Sequence, residues 1–308
     1  MAWKGTPLSE LLISVVIPAY NYAKTLPRAV ESVLAQLADA QAELLVIDDG
    51  STDATPQVLE QLQAQHPGRF RALRKPNGGL SSVRNRGIVE ASGRYLIFLD
   101  ADDEMAQGAL AALTQHIASH PESRLVIGGH WSVFDDGRRS LHAVKPLPAT
   151  ARQRVRGYLL DKTVSLSNGA CAMHREVFAP GNYPEHLRNV EDIPVFAQVL
   201  ARFPCSVLDQ PLALIYKHGD SMRHDLKQSL AAGAGMVDEV FSPARMPAEL
   251  QDLRQPFLAQ RCLSLFRDCY SAGDYVNAKA FYRQAVRTDV RALTRWSYTR
   301  KAIRLLFK

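Results

Sequence analysis

Asp100 and Asp102 stand one residue apart at the end of the apolar run Leu96–Leu99, and Asp103 follows directly. Ionised carboxylates only accept hydrogen bonds and bind hard cations, so this pair can hold a divalent ion that in turn grips a phosphate. A strand ending there would deliver both acids to the carboxyl edge of a sheet, where open α/β folds bind ligands. The plain alternative is that the acids end a strand and cap the next helix. A second acidic cluster, Asp48-Asp49-Gly50-Ser51-Thr52-Asp53, closes the apolar run Glu43–Ile47. A third, Glu191-Asp192, precedes the apolar stretch Val195–Leu200. The pair can cap a helix that starts before Pro194.

These groups need a frame. Ile13–Ile17 is a β-branched run closed by Pro18, and it reads as a first strand. Helical periodicity over Ala23–Leu37 puts Leu26, Ala29, Val30, Val33 and Leu34 on one face. The alternation continues with a strand at Glu43–Ile47, a helix at Thr55–Gln65 and a short strand at Phe70–Arg74. A helix at Leu80–Ala91 and a strand at Tyr95–Leu99 complete it. Strands alternating with helices predict a parallel, doubly wound sheet. Further on, the sequence predicts a helix at Ala109–Ser119, a strand at Leu125–Ile127 and a hairpin turn at Asp135-Asp136-Gly137. A basic helix over Arg152–Leu160 follows, with added strands at Asn168–Met173 and Val207–Ile215. From about Arg223 the pattern is helical, and Leu258–Val286 reads as one helical hairpin turning at Ala272-Gly273-Asp274-Tyr275.

With 308 residues, 46% hydrophobic and 22% charged, the chain is ordinary globular material with length for one large or two modest domains. No apolar run reaches the roughly 18 residues of a membrane span. Leu11–Ile17 is too short and too poorly flanked for a signal peptide, so a cytoplasmic location is expected. The four cysteines form no C-x-x-C pair and read as buried thiols, with Cys262 and Cys269 sharing one helix face. The net charge of +6 belongs to one end: residues 1–222 carry a net of −1 and residues 223–308 a net of +7. That asymmetry argues against general nucleic-acid binding. From Arg283 onward eight basic residues face a single acid, Asp289, with Leu293, Trp296, Ile303, Leu306 and Phe307 among them. Such a segment suits peripheral contact with an anionic membrane, or packing on its own domain with solvated arginines.

The order of motifs is distinctive. Val16-Ile17-Pro18-Ala19-Tyr20-Asn21 is followed by the Asp48–Asp53 cluster, by Asn77-Gly78-Gly79-Leu80-Ser81 and by Arg84-Asn85-Arg86-Gly87. Gly93-Arg94-Tyr95 then leads into Phe98-Leu99-Asp100-Ala101-Asp102-Asp103. Over Ile13 to about Met222 this series resembles the family 2 glycosyltransferases. The resemblance implies a GT-A fold: an α/β, Rossmann-like, doubly wound mixed sheet, here with an α-helical C-terminal appendage. It implies a catalytic domain at 1–222, with a donor half near 13–104 and an acceptor half near 105–222; it does not cover the helical region at 223–308, which is read from the residue pattern. It places Pro18, Ala19, Tyr20 and Asn21 at the nucleoside, and Asp49 on the N–H of a uracil. Asn77, Gly79, Arg84, Asp100 and Ala101 join the donor site. Asp102 would bind Mn²⁺ or Mg²⁺, with Asp100 and His218 as further ligands. Asp192 would be the general base, with Glu191 as its rival or neighbour, and Asp103 a helix cap.

The activity so implied is inverting transfer of a sugar from a nucleotide-diphosphate donor, UDP-linked, to a hydroxyl of a glycan or lipid-linked acceptor in bacterial surface polysaccharide synthesis. Two other readings compete. A sugar-phosphate nucleotidyltransferase would need a glycine-rich triphosphate loop near its N-terminus, and Pro18-Ala19-Tyr20-Asn21 is not one. A degenerate, non-catalytic nucleotide-sugar-binding module would have no use for both Asp102 and Asp192.

Overall fold

The computed structural model describes residues 11–39, 41–217, 233 and 235–305. They fall into two compact units. Of the described residues, the first takes in those of 11–147, 165–185 and 203–217, and the second those of 148–164, 186–202 and 233–305.

In the first unit, β1 (Ile13–Ala19), β2 (Ala42–Asp48), β3 (Arg71–Arg74) and β4 (Tyr95–Phe98) are linked by α1 (Leu26–Leu34), α2 (Thr55–Gln65) and α3 (Leu80–Glu90). They lie side by side in the order β3-β2-β1-β4, all parallel. Every residue of β1, β2 and β4 is buried, as expected for a parallel sheet covered on both faces. The α1 stripe that faces the sheet is the one the periodicity predicts, but the helix starts at Leu26. Residues 22–25 are a turn.

The sheet then becomes mixed. After the two-residue strand β5 (Glu104–Met105) and the helix α4 (Ala109–Ser119), β6 (Leu125–Phe134) and β7 (Arg139–His142) form an antiparallel hairpin. Its turn is the Asp135-Asp136-Gly137 segment, closed by Gly137 at φ 79°. β6 is far longer than its apolar start suggested. It runs through Gly128-Gly129 by way of an irregularity in its pairing with β9 (Cys205–Lys217). Asn168–Ala170 is a 3₁₀ turn, so β8 occupies only Cys171–His174. The complete order among the described residues is β3-β2-β1-β4-β8-β6-β9-β5, with β7 on β6. β8 runs antiparallel to both its neighbours.

The second unit is helical: α5 (Ala151–Arg156, continued by a π turn to Asp161), α6 (Asp192–Arg202), α7 (Gly235–Val240), α8 (Arg254–Ser271), α9 (Tyr275–Thr288) and α10 (Trp296–Arg304). α8 and α9 form the expected hairpin, with Gly273 at φ 79° and Asp274 capping α9 through the Asn277 amide. Cys262 and Cys269 are both buried on α8. Residues 148–164 and 186–202 pack with this helical region, although the sequence reading assigned them to the catalytic domain. Polar ties show why. Arg152 grips the Asp252 carboxylate with two bonds of 2.7 and 2.9 Å. Arg245 donates to Gln198 at 2.5 Å, and Arg202 to the Arg245 carbonyl at 2.8 Å. An apolar helix pattern specifies a buried face but not which partner covers it.

Candidate active site

The ends of β2, β1 and β4, three adjacent parallel strands, bring the first two acidic clusters and the Tyr20 loop to one sheet edge. After β1, Pro18 and Ala19 are buried and Tyr20 is exposed. Asn21 adopts φ 60°, a left-handed conformation that asparagine tolerates better than most residues. Its amide oxygen accepts from the backbone N–H of Thr52 at 2.8 Å and of Asp53 at 3.2 Å, and its own N–H donates to Ser51 Oγ at 2.9 Å. Asn21 therefore clamps the β1 loop to the β2 loop. Asp48 and Asp53 order the same turn. Asp48 accepts from Ser51 N at 2.9 Å, and Asp53 from Thr55 N at 2.9 Å and Ala23 N at 3.2 Å.

Asp49 is buried and held from three sides. Its Oδ1 accepts from Gly78 N at 3.0 Å and from the Lys75 ammonium, and its Oδ2 accepts from Gly79 N at 2.8 Å. Gly79 sits at φ 85° and opens α3, so a side chain there would strain the loop that grips Asp49. Asn77 is exposed at its tip. Lys75 belongs to no motif; the sequence shows only a cation just past a short strand, and no aspartate stands near it in the chain. Arg84 is only 3% exposed. Its guanidinium meets Asp100 Oδ1 at 3.4 Å and lies 5.2 Å from the centre of the Tyr183 ring. Of the two salt-bridge partners open to it, Asp49 and Asp100, the pair formed is with Asp100.

Ala101 is buried, while the Asp100 side chain is 46% exposed. Asp102 lines a cavity of about 280 Å³ with Tyr22, Thr25, Arg28, Asp135 and Tyr216. The Thr25 hydroxyl there is buried with no hydrogen-bond partner among the described residues. Tyr22 hydrogen-bonds to the Asp102 side chain, and its pKa is pushed well above the usual tyrosine value by burial and then by the charges of Asp102, Asp100 and Asp103. Arg28 donates to the Asp102 carbonyl at 2.6 Å, pairs with Glu104 at 3.0 Å and sits over the Tyr216 ring, 3.5 Å from its centre. Neither Tyr22 nor Arg28 stands out in the sequence, since each reads as an ordinary residue at a helix entrance.

Asp103 does not cap the following helix. The residue before α4 is Gly108, and no side chain caps it. Asp103 instead accepts from Tyr216 N at 2.9 Å, tying the acidic turn to β9. Burial, followed by the neighbouring Asp100 charge, raises its pKa to about 8.

Among the described residues, no group of three or more His, Cys, Asp or Glu side chains forms a metal cage. Asp100 and Asp102 still fit a hard divalent cation. Magnesium-type sites commonly use one or two carboxylates and complete their shell with substrate phosphate and water. A half-exposed carboxylate beside one that opens onto a cavity leaves room for that shell. His218 lies outside the described residues. In the second unit, Glu191 is buried and Asp192 is the half-buried first residue of α6, preceded by Asn189 at φ 64°.

The chain is similar to several known proteins. A chondroitin synthase of Pasteurella multocida is 40% identical over 99 residues, 32% of this chain and 10% of that protein. The chain spans between about a tenth and two fifths of the length of the curated relatives it matches. Among solved structures, residues 1–349 of Staphylococcus aureus TarS in complex with UDP-GlcNAc align with a TM-score of 0.67 and 19% identity, covering 96% of this chain and 89% of that one. The mannosyltransferase PcManGT of Pyrobaculum calidifontis, in complex with GDP-Man and Mn²⁺, aligns with a TM-score of 0.57 and 16% identity, over 100% and 88%. Both share the mixed α/β fold with helices that is seen here. The profile of glycosyl transferase family 2 matches residues 14–180, more than half of the chain, and the protein belongs to that family.

Proposed function

We propose that this chain transfers a sugar, with inversion, from a UDP-linked donor to a hydroxyl of a glycan or lipid-linked acceptor in the synthesis of a surface polysaccharide. The observation that carries the reading is the placement of Asp49, Tyr20, Asp100 and Asp102 beyond the carboxyl ends of three adjacent parallel strands. Open α/β folds bind nucleotides at that edge. Asp49 offers a fixed acceptor for an imide N–H, as uracil has. The Asn77-Gly78-Gly79 turn holds Asp49, and the exposed Tyr20 stands on the loop after the neighbouring strand β1. The UDP-GlcNAc complex of TarS and the polysaccharide named for the Pasteurella relative favour the same donor and product classes.

Asp100 and Asp102 would hold the divalent cation, which neutralises charge growing on the leaving diphosphate. Asp192 takes the proton from the acceptor hydroxyl as that oxygen bonds to the anomeric carbon and the bond to the diphosphate oxygen breaks. One displacement opposite the leaving group inverts the anomeric centre. Glu191 orients the segment that carries the base.

The test is Asp192→Asn. Transfer should fall by about 10²- to 10⁴-fold, the range of a general base. UDP-sugar should still raise the melting temperature, more so with Mn²⁺. Survival of transfer would remove Asp192 from the role. Failure of every uridine nucleotide to shift the melt would remove the donor assignment.

A further inference from the structure

In the second unit, α10 packs its Tyr298 side inward: this ring lies 6.2 Å from Phe266, and Tyr282 donates to Thr299 at 2.8 Å. The opposite face is open. Trp296, 66% exposed, and Ile303 stand two turns apart on it, with Arg300 and Arg304 exposed beside them. The preceding turn, Val290–Thr294, adds Val290 and Leu293. Of the eight large hydrophobic residues exposed among those described, four fall within Val290–Ile303. Leu293 also lines a cavity of about 260 Å³ with Tyr282, Arg283, Val286 and Arg287.

Charge selects the occupant. Between Arg283 and Arg304 there are seven Lys and Arg and one acid, Asp289. Arg291 holds Asp289 at 3.0 Å, and Lys301 lies against the Tyr270 ring. Arg283, Arg287, Arg295, Arg300 and Arg304 make no salt bridge among the described residues. A protein partner at this face would need an acidic patch to match these arginines, since like charges oppose docking. A helix lying in a lipid headgroup layer carries this mixture instead: tryptophan and aliphatic side chains on the buried face, arginines reaching to phosphates. No helix among the described residues is long and apolar enough to cross a bilayer.

We propose that the face formed by Val290, Leu293, Trp296, Arg300, Ile303 and Arg304 docks on an anionic phospholipid surface. The full chain should sediment with vesicles of phosphatidylcholine and phosphatidylglycerol but not with phosphatidylcholine alone, and binding should weaken as salt rises. Each lost arginine costs about fivefold in partitioning, so Arg300→Gln with Arg304→Gln should reduce it by about 25-fold. Trp296→Ser with Ile303→Ser should abolish binding while the thermal melt stays in place, because these side chains cover no core. Brominated lipid should quench tryptophan emission in the parent chain and not in Trp296→Phe. The proposal is overturned by absence of binding to the anionic vesicles, by equal binding to neutral ones, or by variants that bind as the parent does. The last result would place the lipid contact elsewhere on the chain.

Discussion

Lys75 and Asp49 form the most informative pair at the residue scale. A buried carboxylate must be compensated, and Asp49 is compensated by two backbone amides and one ammonium. The backbone donors come from the glycine turn at Gly78-Gly79, which Asp49 bridges. Lys75→Met removes the cation and leaves the amides. The Lys75 side chain is 21% exposed, so the loss is smaller than for a fully buried pair. It should lower stability by about 1–2 kcal/mol, read from urea unfolding. An unchanged midpoint would mean that the two amides suffice. The roles here were partly legible beforehand. Aspartate beside glycine at a strand end announces a ligand loop. Asn21 looked like a ligand contact, yet its amide oxygen is spent on the Thr52 and Asp53 amides, because those lie nearby only in the fold.

At the scale of elements, close approach governs the amino-terminal ends of β1 and β4, opposite the site. A Cβ on Gly93 would lie 2.6 Å from the β1 backbone at both Ile13 C and Ser14 N. Gly93 N also donates to Ser14 Oγ at 2.8 Å, and Ser14 in turn donates to the buried Glu43. Gly93→Ala must displace backbone that is hydrogen-bonded on both sides, not a pliant side chain. It should cost about 1–3 kcal/mol of stability, measured by denaturant unfolding. If the variant matched the parent, β1 and β4 would have more freedom than their pairing implies. The strands β1 to β4 and the helices between them were readable, since short apolar runs alternate with a helical period. β6 beyond Ile127 was not. Gly128-Gly129 interrupts the apolar pattern, and only pairing with β9 on one side and β7 on the other carries the strand through.

Across the whole molecule, the cysteines report on both units. Cys171 lies in the sheet and its thiol is pushed up by burial to about 12; Cys262 lies in the helical unit and burial pushes it to about 11. Cys269 is raised as well, again chiefly by burial. Only the thiolate reacts readily, so native protein at neutral pH should resist alkylation at these three positions. Cys205, half-buried, should label first. Mass spectrometry of labelled peptides checks this, and all four should label in urea. Fast native labelling of Cys171 would mean that the sheet opens under native conditions.

The order of motifs from Pro18 to Asp103 was enough to identify the family and the edge of the sheet that carries the polar loops. Each motif is contiguous in the chain, and those at Pro18–Asn21, Asp48–Asp53 and Asp100–Asp103 lie at the ends of β1, β2 and β4. What tertiary packing alone decided was partnership. It joined 148–164 and 186–202 to the helices, turned Asp103 from a cap into an anchor for β9, and set Lys75 against Asp49 and Arg28 beneath Asp102. A sequence records which faces are apolar and which groups are charged. The surface that covers a face, or the group that answers a charge, is selected among distant segments when the chain closes on itself.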